Sequence, residues 1–163
     1  KTVLVGLLKR NNMELKVYDQ GHRGTCWNHA YMLACNKLGI DVDVTKVTQF
    51  NWLTHPRIEK VFIENGYIKW TIQLRSPNLV DLWLKKGHYI VIGTSQGDFV
   101  KAGTPPYIME QKWKSQHFFC IIADLWDKWK CQNSWWENWG EKGCFYIMKN
   151  EFRMMWTPRR LVV

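Results

Sequence analysis

Cys26 stands six residues after Gln20 in the run DQGHRGTCW, and far downstream His117 is followed 16 residues later by Asn133, inside QNSWWENWG. Together these four residue types supply the parts of a thiol acyl-transfer centre. Cys26 would attack an acyl carbon, His117 would accept its proton, and Asn133 would orient the imidazole. Gln20 would donate an amide hydrogen bond to the oxyanion of the tetrahedral intermediate. Taken singly, the residues are unremarkable. Gln20 reads as a surface turn residue, His117 as a core histidine opening an apolar strand, and Asn133 as a turn former. Their joint order reverses those readings. His22 and His29 are too close to Cys26 along the chain to be aimed at it as a base, and a structural or surface role is expected for both, with His22 a second choice for substrate contact. His55 and His88 carry no signal.

A free thiol titrates near ~8.5, so a nucleophile at neutral pH needs help. Gly24-Thr25 before Cys26 predicts a helix starting at the cysteine, and the positive end of its dipole favours the thiolate by roughly 0.3–2 kcal/mol. With His117 as a cationic partner, the expected resting state is a thiolate–imidazolium pair. Trp135 and Trp139 flank the asparagine and are expected to shield its hydrogen bond.

The elements that must position these groups follow from periodicity. The helix from Cys26 carries Trp27, Ala30, Tyr31, Leu33, Ala34 and Leu38 inward and ends at Gly39. A short helix is expected over 44–53. A third starts with Pro56 in its first turn, has Ile58, Val61 and Phe62 at helical spacing, and stops at Gly66. A fourth has Ser76 as N-cap with Pro77 next, turns Leu79, Val80, Trp83 and Leu84 inward, and stops at Gly87. The second half changes period: HYIVIGT (88–94), HFFCIIAD (117–124), WKCQN (129–133) and GCFYIMK (143–149) read as strands. Helices early and strands late make an α+β chain of one domain over 1–163, mainly helical over about 20–87 and mainly β over 88–163.

These segments resemble the papain-like cysteine peptidases. DQGHRGTCW is similar to that family's glutamine-to-cysteine segment, QHFFCIIAD to its histidine strand, and NSWWENWGEKGCFYI to its asparagine segment and following strand. SPNLVDLWLKKGHYIVIGT resembles the helix and strand before the histidine. The resemblance implies a two-lobed α+β fold with the nucleophile at the start of a central helix. It also implies hydrolysis of peptide bonds through a Cys26 acyl-enzyme, without metal or cofactor. Gln20, Cys26, His117 and Asn133 take the four catalytic roles, and Trp27, Gln116, Phe118 and Trp135 are the expected substrate contacts. The chain departs from the family in several places. The Cys26–His117 interval of 91 residues is short, Arg23 replaces a disulfide cysteine, and the Gly-Gly strand that pairs with substrate is not recognisable. Phe118 and Trp136 stand where small residues are usual, which implies a narrowed pocket. The pattern is that of a shortened bacterial or viral member.

Composition narrows the setting. Five cysteines, an odd number without a CxxC pair, fit neither a zinc ribbon nor a disulfide scaffold, and Cys35, Cys120, Cys131 and Cys144 read as small buried hydrophobes. That favours a reducing intracellular or virion-associated setting. No apolar run is long enough to span a bilayer, so no membrane partner is expected. The net charge of +9 allows non-specific contact with nucleic acid, but the basic residues are scattered and form no recognition arm. Six of the 11 tryptophans lie between Trp113 and Trp139 and are expected as core and pocket walls. A chain starting at Lys1 rather than Met reads as a processed product, with any signal or propeptide outside it. The expected partner is a protein or peptide substrate, with assembly into a larger complex open. Two other readings stand beside the peptidase: a thiol acyltransferase or isopeptidase, and a structural, virion-associated module.

Overall fold

A computed structural model of the chain describes residues 24–49, 54–94, 97–110, 112, 116–152 and 157–163. Gln20, His22 and Trp113, and the end of the expected second helix, lie outside these. The elements in order are α1 (Cys26–Lys37), α2 (Val44–Val47), α3 (His55–Glu64), β1 (Trp70–Gln73), α4 (Pro77–Lys85), β2 (Ile90–Thr94), α5 (Phe99–Ala102), β3 (His117–Asp124), β4 (Lys128–Gln132), β5 (Cys144–Met148) and β6 (Arg159–Val162). The fold is α+β. The strands form one antiparallel sheet in the order β1-β6-β2-β3-β4-β5.

The helix limits follow local chemistry. Gly39, Gly66 and Gly87 take φ of +80°, +75° and +86° just beyond α1, α3 and α4, a conformation that costs glycine nothing and ends the helix. Ser76 accepts from the Leu79 amide at 3.3 Å and caps α4. Along α1 every residue from Trp27 to Cys35 is buried, so the helix is wrapped on all sides rather than along one stripe. Two of its buried polar side chains are anchored to backbone carbonyls. Asn28 Nδ2 donates to the Val47 carbonyl, and His29 Nδ1 donates to the Thr25 carbonyl at 2.7 Å.

Alternation along the strands divides the core. Val91, Cys120 and Leu161 face α1 and α3, joining Tyr31, Ile58 and Phe62. Ile90, Ile92, Phe119, Ile121, Trp129 and Phe145 face the other side, against Val80 of α4 and Phe99 of α5. α4 is tied to the sheet by Asp81, which accepts from Trp129 Nε1 at 2.7 Å and from Lys149 Nζ at 2.8 Å.

Some expectations need correction. Leu79 is 40% exposed, because only Val80 of α4 reaches full burial and Trp83 and Leu84 are partly covered. Two strands were not foreseen: β1, within the mainly helical stretch, and β6, its partner from the far end of the chain. On the side of β1 away from β6, Glu59 Oε1 accepts from both the amide and the hydroxyl of Thr71, at 2.9 and 2.7 Å. Among the tryptophans, Trp129 is fully buried and Trp135 and Trp139 pack on the core, whereas Trp136 is half exposed and Trp126 is 92% exposed at the β3–β4 turn.

β2 and β3 pair with Gly93 opposite Phe118 and Thr94 opposite His117. The Phe118 ring lies over Gly93, where a methyl would stand 2.3 Å from Phe118 Cε1. The ring cannot yield easily, because it is stacked on Trp27 with centroids 3.5 Å apart. Gly93→Ala should therefore destabilise the fold by about 1–3 kcal/mol in urea unfolding. The same change made with Phe118→Ala should cost clearly less; equal costs in both backgrounds would refute the contact.

Candidate active site

Cys26 is the first residue of α1 and is partly buried. Its backbone N–H is one of the four at a helix start that have no partner within the helix, so it can donate to a bound anion. The sulfur lies against the first residues of β3: the Phe118 backbone is the strongest polar influence on it, followed by the backbone of Trp27 and of Cys26 itself. Phe118 directly follows His117, so α1 brings the thiol to the strand that carries the imidazole.

His117 opens β3 and is buried among aromatic rings. Phe99 meets it edge-on at 5.0 Å and Trp135 lies tilted over it, also at 5.0 Å. His117 Nε2 is 2.6 Å from Asn133 Oδ1. Asn133 sits one residue past the end of β4, 2% exposed, with its own amide held by the Gly143 carbonyl at 2.9 Å. Its side-chain orientation is dictated by a backbone donor. Ser134 N–H, which can only donate, reaches the same Oδ1 at 2.8 Å. Oδ1 must therefore accept from His117, so Nε2 carries a proton and Nδ1 is the basic nitrogen of the neutral ring. Trp135, which lies over His117, meets Trp139 edge to face at 4.9 Å.

Burial works against the expected ion pair. Burial pushes the Cys26 thiol up to about 11, against which the backbone at Phe118, Trp27 and Cys26 acts only in part. Burial likewise pulls His117 down to about 4, opposed by its hydrogen bond to Asn133. Desolvation penalises both charged forms and so favours thiol and imidazole over the ion pair. The helix dipole is too small to reverse this.

The four expected substrate contacts are placed differently from one another. Gln116 is exposed just before β3 and Trp135 is partly exposed beside His117. Phe118 is half-buried. Trp27 is 6% exposed, packed against Phe118, Tyr31 and His55. His55 is the residue that the sequence did not mark. Its Nε2 is 2.6 Å from the Tyr31 hydroxyl, its ring packs on Trp27 at 4.9 Å, and burial lowers it to about 4. The remaining cysteines, Cys35, Cys120, Cys131 and Cys144, are free and buried. Among the described residues no cluster of His, Cys, Asp and Glu could hold a metal ion, and no helix is long and apolar enough to cross a membrane.

This architecture is the papain-like fold. The chain is similar to the bromelain protease of Ananas comosus, with a TM-score of 0.62 and 13% identity over 91% of this chain and 93% of that one. It is also similar to a cysteine protease of Carica candamarcensis, with a TM-score of 0.64 and 12% identity over 94% and 96%. Both neighbours were solved in complex with the inhibitor E-64. No family model matches the chain, and no curated protein sequence does.

Two pH experiments test the charge states. A difference spectrum between the protein and Cys26→Ser should show no thiolate absorbance at neutral pH, with the band growing in only toward about pH 11. A neutral-pH band would overturn the assignment. His117 and His55 are both depressed on folding, so their stabilising contribution is whole above the unfolded value of about 6.5 and is lost as pH falls toward about 4. The urea midpoint should decline across that window, and replacing both histidines with glutamine should flatten the decline.

Proposed function

We propose that the chain is a cysteine peptidase that hydrolyses peptide bonds through an acyl-enzyme on Cys26. The observation that carries this reading is the hydrogen bond from His117 Nε2 to an Asn133 amide whose orientation is fixed by Ser134 N–H. That bond leaves Nδ1 as the proton acceptor, on the strand against which the Cys26 sulfur rests.

Cys26 Sγ attacks the peptide carbonyl carbon as His117 Nδ1 takes the thiol proton. The π electrons of the carbonyl move to oxygen, where the Cys26 backbone N–H and the Gln20 side-chain amide donate. Collapse expels the amine, which takes the proton from Nδ1, and leaves a thioester. Water, deprotonated by the same nitrogen, attacks the thioester and returns the thiol. Starting from a neutral pair suits this sequence, because Nδ1 is unprotonated whenever the pH exceeds about 4. The acid and thiolate forms arise during the reaction rather than before it. Gln116, Trp135 and the half-buried Phe118 border the path a peptide would take. The basic surface, at +9, adds non-specific attraction for acidic partners.

Labelling with a thiol-reactive peptidyl epoxide should modify Cys26 alone among the five cysteines, and His117→Ala should abolish it. Equal labelling of several cysteines would count against an activated nucleophile. A peptide library should then be cleaved, with Asn133→Ala lowering kcat far more than it changes KM. Transfer of the acyl group to an added amine in preference to water would favour an acyltransferase. No turnover and no selective label would leave a structural module.

A further inference from the structure

β1 and β6 pack one face on α1 and α3 and leave the other partly open. Leu161 and Thr71 stand opposite each other on the covered face, where Leu161 joins the core and Thr71 meets Glu59 of α3. Strand alternation sends Trp70, Ile72, Arg160 and Val162 to the opposite face, the one that β2 and β3 share with α4. α4 does not extend over these four, for Trp70 is half exposed and Ile72 is exposed. Arg160 touches the helix at its margin, its guanidinium 3.6 Å from the Trp83 ring centroid. Lys86 Nζ lies 4.6 Å from the same ring, and His88 meets it edge-on at 5.0 Å. Leu79 and Leu82, one turn before Trp83 and Lys86, are exposed and prolong this surface along the helix.

Two cations and a histidine thus gather on one indole without a carboxylate. Neither Arg160 nor Lys86 makes an ion pair among the described residues, and Arg160 Nε is buried there without a hydrogen-bond partner. Other basic side chains do find acids: Lys60 pairs with Glu64, Lys101 and Lys112 with Glu110, and Lys149 with Asp81 and Asp124. Burial first, then Arg160 and Lys86, hold His88 below the usual histidine range, so the patch lacks negative charge. A guanidinium laid flat on an indole is a fixed fork, suited to a carboxylate more than to a diffuse anionic layer. We infer that this face docks a partner protein through a segment whose carboxylates stand beside apolar side chains. Arg160 and Lys86 take the carboxylates, and Trp70, Ile72 and Leu79 take the apolar groups. The patch sits by His88, before β2, whereas His117 pairs with Thr94 at the far end of that strand. Six residues of extended chain, roughly 20 Å, separate the two, so the docked segment leaves Cys26 open. The inference does not depend on the peptidase reading.

The test selects displayed random peptides on the full chain carrying Cys26→Ser, so that no bound sequence is cut. Enriched peptides should carry Asp or Glu beside Leu, Phe or Trp. Their binding, read by fluorescence anisotropy, should weaken roughly 10-fold in Arg160→Gln and in Lys86→Gln, the loss of one charged hydrogen bond. Trp70→Ser, at a half-exposed position that folding does not need, should weaken it as well. Lys60→Gln removes the same charge from the outer side of α3 and should change nothing. An equal loss there would reduce the binding to diffuse attraction by the +9 chain and refute docking. Hydroxyl-radical footprinting should show Trp70 and Leu79 protected by the peptide and Trp126 still reactive; the reverse pattern would overturn the inference. So would no enrichment, a basic consensus, or binding indifferent to both Arg160→Gln and Lys86→Gln. Phosphatidylserine vesicles that hold the parent but not Arg160→Gln, with no peptide enriched, would assign the face to a membrane instead. Iodoacetamide should alkylate Cys26 of the unsubstituted chain equally fast with and without peptide, and a blocked reaction would move the docking into the cleft. If His117→Ala leaves selective labelling of Cys26 untouched, the peptidase reading fails while these binding results stand.

Discussion

The first turn of α1 meeting the first residues of β3 is the constraint on which the molecule turns. Trp27 stacked on Phe118 fixes that meeting in two directions at once, because the Phe118 ring is itself pressed onto Gly93 of the neighbouring strand. The contact brings Cys26 to the end of β3 where His117 begins. It also explains why bulky Phe118 is accommodated: glycine opposite it leaves the space that the ring fills. The residue that looked in the sequence like an obstruction over the cleft is partly a structural wedge.

From that junction the electrostatics follow. A thiol enclosed by a helix start, a strand start and aromatic walls loses water, and the backbone donors near it do not replace what water gave. The same enclosure acts on His117 among Phe99, Phe119 and Trp135. The site is therefore arranged around hydrogen-bond direction instead of resting charge. Asn133 and Ser134 decide which nitrogen is basic, and burial keeps it unprotonated.

Much of the scaffold was legible because its signals are local. Gly39, Gly66 and Gly87 end helices by taking positive φ, and Ser76 caps the next turn through its own hydroxyl. Strands β3 to β5 announce themselves by apolar runs broken by turn residues. β1 and β6 did not, since four residues such as WTIQ or RRLV show little pattern and pair across the chain, Trp70 with Val162. The pairing of His117 with Asn133 was legible from order and spacing, but the upward push of burial on the thiol was not. Burial comes from elements remote in sequence, and a local reading counts only the dipole and the partner that favour charge. His55 was missed for the same reason, as its meaning lies in Tyr31 and Trp27 on another helix. His29 was expected as structural or at the surface, and its burial selects the first.

The carboxylate of Glu59 on Thr71 has a consequence for solution behaviour. An outermost ribbon with half-exposed Trp70 and exposed Ile72 is the sort of border onto which a foreign chain can add by backbone pairing. Because the Thr71 amide is already engaged by the Glu59 carboxylate, a newcomer would lose a rung there and meet an anionic side chain instead of an open donor. Among the described residues β1 is the last strand on this flank, and its engaged amide makes it a poorer template for end-to-end pairing in a concentrated preparation.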